Sequence, residues 1–208
     1  MDESFSEWLK QVSNGSGVDI VSARVDLNSW QTARSQFDAA ISDRQISGLA
    51  NLAGAANGAL FMMTPIEDMK KVFEVNLFST IAISQIAVKR FMKARAGRIV
   101  NVSSVSAKYA SRGFLTYGAS KSSIEYVTKV MAAELSSYGI AVNAVSPGMT
   151  ETRMLDETDV VTKDLLLNMS FSKRASTPNE VAQIIEFLLL DSPTQVTGKI
   201  IEVDGGMP

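Results

Sequence analysis

A tyrosine, a lysine and a serine are the residues of this sequence whose types and spacing could do chemistry. Tyr117 and Lys121 lie four positions apart, so their side chains share one face if the segment is helical. A lysine ammonium beside a phenol favours the phenolate, which predicts a lowered pKa for Tyr117 and a tyrosine that exchanges protons near neutral pH. Ser104 follows a short apolar run, and its hydroxyl could hold a carbonyl oxygen while Tyr117 donates the proton. The same Tyr–Lys spacing is common on solvent-exposed helices, so the pair needs support from its surroundings.

The composition restricts proton transfer to the side chains of tyrosine, lysine, aspartate and glutamate. The 208 residues include no cysteine and no histidine, which excludes thiolate nucleophiles, Ser-His-Asp triads, disulfides and Cys/His metal sites. We therefore expect no metal. The net charge of −2 gives no general attraction to nucleic acid. The length suits one domain over residues 1–208, and the absence of any visible targeting or membrane segment predicts a cytoplasmic protein.

Helix-type and strand-type patterns alternate along the chain, which predicts an α/β fold with a largely parallel sheet. Ser104 ends the most convincing buried strand, 97–104, and Tyr117 and Lys121 open a helix from about residue 117 to residue 138. Ligands of open α/β sheets gather at the carboxyl ends of the strands, so we expect the three side chains to meet there. The other predicted strands cover 19–27, 46–52, 140–146 and 198–206. The other predicted helices cover 5–12, 30–41 and 178–190, together with a long helical pattern at 65–97 that is either continuous or interrupted.

Two stretches of the sequence have the form of a helix N-terminal capping box with proline at the first helical position. They are Thr64–Glu67 and Thr177–Glu180, each reading Thr-Pro-x-Glu. Both predict that a helix begins at the proline.

The segment at 101–127, NVSSVSAKYASRGFLTYGASKSSIEYV, resembles the active-site region of the short-chain dehydrogenase/reductase family. The resemblance extends over nearly the whole chain, because further motifs follow in the family's order. It is most similar to the compact reductases typified by β-ketoacyl-carrier-protein reductase, and it implies a Rossmann-like, doubly wound parallel sheet. The further motifs are VDL at 25–27, NLAG at 51–54, EVNL at 74–77, SPGMTET at 146–152 and GKIIEVDGG at 198–206.

The resemblance implies a role for each matching residue. Tyr117 would be the catalytic acid/base, Lys121 would lower its pKa and bind the nicotinamide ribose, and Ser104 would orient the substrate carbonyl. Asn76 would support a water-linked proton relay. The implied cofactor is NAD or NADP, and the choice between them is not visible in the sequence. The implied cofactor-binding residues are Asp26, Leu27, Asn51, Ala53, Gly54, Tyr117, Lys121, Pro147, Gly148, Thr150 and Thr152.

Two features depart from the family pattern. Leu52 occupies the second position of the Asn-Asn-Ala-Gly turn, which removes one polar contact near the cofactor. No Gly-x-x-x-Gly-x-Gly turn precedes the NLAG motif, so the chain corresponds to the family from its second crossover helix and lacks the first strand, first helix and second strand. We expect the strand at 19–27 to shift inward and pair with the strand at 46–52, unless another chain fills the gap.

Three interpretations of the function remain open at the level of sequence. The first is an NAD(P)-dependent oxidoreductase that interconverts a small-molecule carbonyl and a secondary alcohol, with residues 151–177 forming a lid over the substrate. The second is a catalytically impaired scaffold or regulatory member that acts through oligomerisation. The third is a truncated product of a longer gene. Helix 117–138 and the C-terminal helix and strand resemble the family's association surfaces, which predicts a homo-dimer or homo-tetramer, or assembly with a full-length relative.

Overall fold

The computed structural model describes residues 20–152, 155 and 160–207. In that part of the chain four parallel strands form one sheet in the order β1-β2-β3-β4. The strands are β1 (Gly48–Asn51), β2 (Gly97–Val102), β3 (Ile140–Pro147) and β4 (Ile200–Val203). The helices are α1 (Trp30–Ala40), α2 (Ile66–Phe73), α3 (Ser79–Ala94), α4 (Leu115–Leu135), α5 (Val160–Met169) and α6 (Pro178–Leu190).

Helices cover both faces of the sheet, as the Rossmann-like prediction requires. Successive strand residues point to opposite faces, so Ile99 packs with Phe91 of α3 and Ala132 of α4, whereas Val100 packs with Leu188 of α6. The central strand β3 is buried along almost its whole length and is apolar on both faces, as parallel strands between two helical layers are. The prediction of a doubly wound α/β fold is confirmed.

The predicted strand at 19–27 is wrong for the residues that the structure describes. Residues 20–26 adopt no regular secondary structure, and a turn follows at residues 27 and 28. Backbone polar groups form a strand only against a neighbouring strand, and within the described residues β1 pairs with β2 alone. The hypothesis that this segment shifts inward to pair with β1 is therefore also wrong. Residue 19, the predicted helix at 5–12 and part of the expected lid lie outside the described residues.

The two Thr-Pro-x-Glu stretches differ although their sequences match. At α6 the Thr177 side chain accepts from the Glu180 amide, and the Glu180 carboxylate accepts from the Thr177 amide, which completes a capping box. At α2 the cap position is Pro65, and the Thr64 hydroxyl instead donates to the backbone carbonyls of Ala59 and Leu60, which precede the 3₁₀ turn Phe61–Met63. The second predicted capping box is confirmed and the first is wrong.

The predicted long helix at 65–97 is three consecutive segments. A π-helical turn, Glu74–Phe78, separates α2 from α3 and contains the buried Asn76. The combined stretch Ile66–Ala94 is also, in the described part of the chain, the one helix long and apolar enough to cross a membrane by length and composition alone. Half of the most apolar part of this stretch is buried inside the protein, and a core helix that packs against a sheet has the same length and composition.

Candidate active site

Ser104, Tyr117 and Lys121 meet at the carboxyl end of β2. Ser104 follows β2 and caps the short 3₁₀ turn Val105–Ala107, where its Oγ accepts from the Ser106 amide at 3.2 Å. Tyr117 and Lys121 lie in the first two turns of α4, which packs against β2, β3 and this 3₁₀ turn. The Ser104 hydroxyl lies close enough to the Tyr117 phenol to lower its pKa, and the Lys121 Nζ lies 5.7 Å from the centre of the Tyr117 ring. The structure therefore brings together the three side chains that the sequence singled out.

The acidity of Tyr117 differs from the sequence prediction. Burial raises the pKa of the phenol above its ordinary value, and the hydrogen bond with Ser104 acts in the opposite direction without reversing it. Lys121 was expected to lower this pKa. The structure contradicts the lowered pKa, because burial favours the neutral phenol. Burial also lowers the pKa of Lys121 to about 8.

Lys121 is held in a nearly closed pocket between β2 and the turn after β1. Its side chain is 3% exposed, and its Nζ donates to the Val102 carbonyl at 2.8 Å. A Cβ atom at Gly54 would stand 3.3 Å from this nitrogen, so the glycine of the NLAG turn leaves the space that the ammonium occupies. No carboxylate bonds to Lys121 among the hydrogen bonds and ion pairs of the described residues, which explains why burial alone determines the direction of its pKa.

Asn76 connects the turn after β1 to α4. The side chain is 1% exposed; its Oδ1 accepts from the Ala55 amide at 2.7 Å, and its Nδ2 donates to the Ala55 carbonyl and to Ser120 Oγ, both at 2.9 Å. Ser120 Oγ in turn donates to the Tyr117 carbonyl at 2.7 Å. Asn76 is thus joined to the backbone of the helical turn that carries Tyr117 and Lys121.

Sequence reasoning missed three of the residues in this network, Ala55, Ser120 and Glu125. The hydroxyl of Ser103, the residue before Ser104, donates to Glu125 Oε1 at 2.8 Å and lies 3.3 Å from the Lys121 carbonyl oxygen. The sequence carried no local signal for these contacts, because each of them joins residues that lie far apart in the chain.

A cavity of about 510 Å³ opens beside Ser104 and Tyr117. Five of the predicted cofactor-binding residues line it, namely Tyr117, Pro147, Gly148, Thr150 and Thr152. The rest of its wall is mainly apolar and includes Leu52, Val105, Phe114, Met149, Leu155, Leu166, Val181 and Ile185. The hydroxyls of Ser104 and Tyr117 therefore face an apolar space large enough for a small organic ligand.

Four of the predicted cofactor-binding residues, Asp26, Leu27, Asn51 and Ala53, lie away from Tyr117. Leu27, Asn51 and Ala53 line a second recess of about 260 Å³ beside β1, and Leu52 borders both cavities. The Asn51 Nδ2 donates to Ser84 Oγ and to Asn101 Oδ1, so this amide belongs to a polar row across the sheet. The Asp26 carboxylate, exposed to solvent, accepts from the backbone and side chain of Asn28. The structure does not bring these residues to Tyr117.

Comparison with known proteins shows which family has this architecture. A family model described as Enoyl-(Acyl carrier protein) reductase matches residues 1–208. The chain is 39% identical over 163 residues to the 3-oxoacyl-(acyl-carrier-protein) reductase FabG of Thermotoga maritima, a match covering 78% of this chain and 66% of that protein. It is 31% identical over 199 residues to the FabG of Aquifex aeolicus, covering 95% of this chain and 80% of that protein. The chain thus spans just under two thirds of the Thermotoga protein.

Solved structures agree with the sequence relatives on the fold. A protein named as a gluconate dehydrogenase from Agrobacterium tumefaciens superposes with a TM-score of 0.91 at 28% identity, covering 100% of this chain and 83% of that one. The gluconate 5-dehydrogenase of Burkholderia cenocepacia, solved with NADP and tartrate, superposes with a TM-score of 0.88 at 25% identity, covering 98% and 81%.

The parallel sheet with helices on both faces defines a Rossmann-like α/β protein. With the match of the family model to every residue, the chain belongs to the short-chain dehydrogenase/reductase family of oxidoreductases.

Proposed function

We propose that this chain interconverts a carbonyl and a secondary alcohol with NAD or NADP. The observation that carries the proposal is the half-buried Tyr117 phenol, which lies beside Ser104 in the wall of an apolar cavity, with the Lys121 amine beneath its ring. The Tyr117 phenol is protonated at neutral pH and lies in the cavity wall, so it is the available donor of the proton that reduction of a carbonyl requires.

Each side chain has a role that its contacts support. The Ser104 hydroxyl holds the carbonyl oxygen beside the Tyr117 hydroxyl, which delivers the proton to that oxygen. Lys121 binds the ribose hydroxyls and, when protonated, counteracts the rise in the Tyr117 pKa that burial causes. Asn76 positions this helical turn through Ala55 and Ser120, and its backbone in the π-helical turn supports the water-linked proton relay.

The residues present fit the nicotinamide end of the cofactor. Tyr117, Gly148 and Thr150 line one side of the cavity, and Gly54 leaves the Lys121 amine room beside the turn after β1. The bound nicotinamide supplies or accepts the hydride. The cavity walls formed by described residues include no lysine or arginine, so the diphosphate gains little electrostatic stabilisation there and we propose a weak affinity.

The substrate class follows from the apolar wall. Phe114, Met149 and Leu166 would accommodate a carbonyl compound with an apolar substituent better than a polyol. The relatives named as 3-oxoacyl reductases make a 3-oxoacyl thioester the first compound to test. The setting that we propose is the cytoplasm.

We also propose that the active form is a homo-oligomer. Large apolar side chains are exposed on the outer faces of two helices, with Tyr126 of α4 71% exposed and Leu190 of α6 66% exposed. Apolar surface of this kind is typical of contacts between subunits.

Titration of the folded chain with NADH and with NADPH, followed by nucleotide fluorescence, tests the proposal. We expect saturable binding of one nucleotide, retained in Tyr117→Phe and lost in Lys121→Ala. A 3-oxoacyl thioester should then be reduced by the wild type and not by Tyr117→Phe. Failure of both nucleotides to bind to folded protein would refute the enzyme and favour the non-catalytic scaffold.

A further inference from the structure

Helix α4 lies along β2, and alternate residues at the end of this strand contact the helix. The contacts form a row of three, namely Ile99 with Ala132, Asn101 with Thr128, and Ser103 with Glu125. Two strand residues advance about 6.6 Å and four helical residues about 6 Å, so contacts at these intervals stay opposite each other. One apolar contact and two hydrogen bonds therefore fix how far α4 has advanced along the sheet.

The last contact of this row holds the part of α4 that carries Tyr117 and Lys121. The Ser103 side chain is 1% exposed, and its backbone amide donates to the Val145 carbonyl of β3 at 2.8 Å, so the sheet holds this residue in place. Its hydroxyl lies 2.8 Å from Glu125 Oε1 and 3.3 Å from the Lys121 carbonyl oxygen. A hydroxyl has one proton to donate, and the carboxylate is both the closer and the stronger acceptor. The Ser103–Glu125 hydrogen bond therefore joins this part of the helix to the sheet.

The residues on either side of Ser103 both contact the candidate active site. Val102 supplies the carbonyl that accepts from the Lys121 amine at 2.8 Å, and Ser104 supplies the hydroxyl beside the Tyr117 phenol. Movement of α4 against the end of β2 would change both of these distances at once. Because a displacement of about 1 Å can slow a reaction about a hundredfold, a bond that prevents this movement affects the rate.

The surroundings of Glu125 fit a hydrogen-bond acceptor and not an ion pair. Tyr117, Lys121 and Glu125 follow one another at intervals of four, so Glu125 continues the same face of α4 by one helical turn. The side chain is half-buried, and Ser103 is the one hydrogen-bond or ion-pair partner that the described residues give its carboxylate. A carboxylate is costly to bury without a cation, so the contact that its position provides is the bond from Ser103.

We propose that Glu125 is a positioning residue for the carbonyl reduction. Its carboxylate accepts the Ser103 hydrogen bond and so holds α4 at its position along β2. At that position the Lys121 amine reaches its backbone acceptor, and the Tyr117 phenol lies in the cavity wall. This role depends on the proposed reductase function, since Glu125 acts through Ser103 and α4 and binds no ligand itself.

Two neutral replacements of Glu125 separate its acceptor from its charge. Glu125→Gln keeps an oxygen acceptor at the same position and loses the charge, whereas Glu125→Met has a similar length and loses both. We expect kcat for a 3-oxoacyl thioester to be at least about tenfold lower in Glu125→Met than in Glu125→Gln, because α4 is then free to move. KM should change less than kcat, since Glu125 is not part of the cavity wall.

Thr128→Val is the matched control for a loss of stability alone. It breaks the neighbouring bond of the same row, between Asn101 and Thr128, with almost no change in side-chain volume. This bond lies farther along α4 from Lys121 than the Ser103–Glu125 bond does. We therefore expect urea unfolding to show reduced stability in Thr128→Val, with a kcat much closer to that of the wild type than the kcat of Glu125→Met.

The pKa of Lys121 gives a readout that requires no activity. Burial lowers this pKa to about 8, against 10.5 for an ordinary lysine. When α4 loosens beside Ser103, water reaches the amine, so the pKa should be higher in Glu125→Met than in Glu125→Gln. The two variants have the same charge, so the lost carboxylate charge does not contribute to this difference. Carbon-13 NMR of labelled lysine side chains measures it in the free chain, with Lys121→Met to assign the signal.

Two results would overturn the positioning role. The first is a kcat for Glu125→Met equal to that of Glu125→Gln, and the second is a kcat for Thr128→Val as low as that of Glu125→Met. A wild type that binds no nucleotide and reduces no 3-oxoacyl thioester would refute the proposed reductase instead. The Lys121 pKa would then decide about Glu125, because equal values in Glu125→Met and Glu125→Gln would show that the Ser103 bond does not hold α4.

Discussion

Replacement of the buried lysine, Lys121→Met, tests the central electrostatic inference. The pKa of Lys121 lies at about 8 in the folded chain and at 10.5 for an ordinary lysine, because burial penalises the ammonium. A tenfold change in proton affinity corresponds to about 1.4 kcal/mol, so the charged lysine costs the folded state about 3 kcal/mol at neutral pH. Methionine has a similar length and no charge, and it gives up the hydrogen bond to the Val102 carbonyl, worth about 1 kcal/mol. We expect the variant to be more stable than the wild type at pH 7 and inactive.

The pH dependence gives the sharper test. The unfolded chain binds a proton at Lys121 up to about pH 10.5, and the folded chain loses it at about pH 8. Wild-type stability therefore rises with pH between these values, because the unfolded state binds more protons there. Between pH 7 and pH 9.5 this linkage contributes about 2 kcal/mol, and Lys121→Met should lack that increase.

Urea unfolding curves at several pH values measure the difference. Tyr117 affects the comparison little over this range, since burial raises its pKa above the ordinary value of 10.0. Lys129→Met is the matched control, because Lys129 lies on the same helix, α4, and is exposed. It should leave the pH dependence unchanged. A wild-type curve no steeper than that of Lys121→Met would refute the assignment of a destabilising buried amine.

Two further predictions concern packing and the α6 cap. Gly118→Ala would place a Cβ 2.6 Å from the Ser106 carbonyl oxygen, so α4 would have to move. We expect urea unfolding to show a free energy of unfolding lower by about 1–3 kcal/mol, and we expect a lower kcat. Unchanged values would contradict this close approach. Hydrogen bonds from Arg174, the larger cause, and from the Thr177 amide lower the pKa of Glu180 from 4.5 to about 2. These contacts of the Glu180 carboxylate therefore stabilise the fold above pH 4.5, and the stabilisation is lost as the pH falls toward 2. Glu180→Gln should show a shallower fall in melting temperature between pH 5 and pH 2, and a fall as steep as that of the wild type would contradict the ion pair.

The fold and the three main site residues could be read from the sequence because each depends on local pattern. The apolar run before Ser104 predicts β2, and the spacing of Tyr117 and Lys121 places both on one face of α4. The contacts of Asn76 with Ala55 and Ser120 could not be read in this way. They join segments far apart in the chain, and no local pattern specifies which backbone group an amide will meet.

The sequence by itself determined the α/β class, the parallel strands β2 and β3 and the convergence of Ser104, Tyr117 and Lys121, since alternation, helical spacing and strand ends are local properties. The tertiary structure alone decided the features that depend on contacts between distant segments. The segment at 20–26 is no strand because the described chain gives it no strand to pair with. Thr64 donates to the carbonyls of Ala59 and Leu60, although Thr177, in the same Thr-Pro-x-Glu pattern, caps α6. The pKa of Tyr117 rises because desolvation, which depends on everything packed around the ring, outweighs the single hydrogen bond that opposes it.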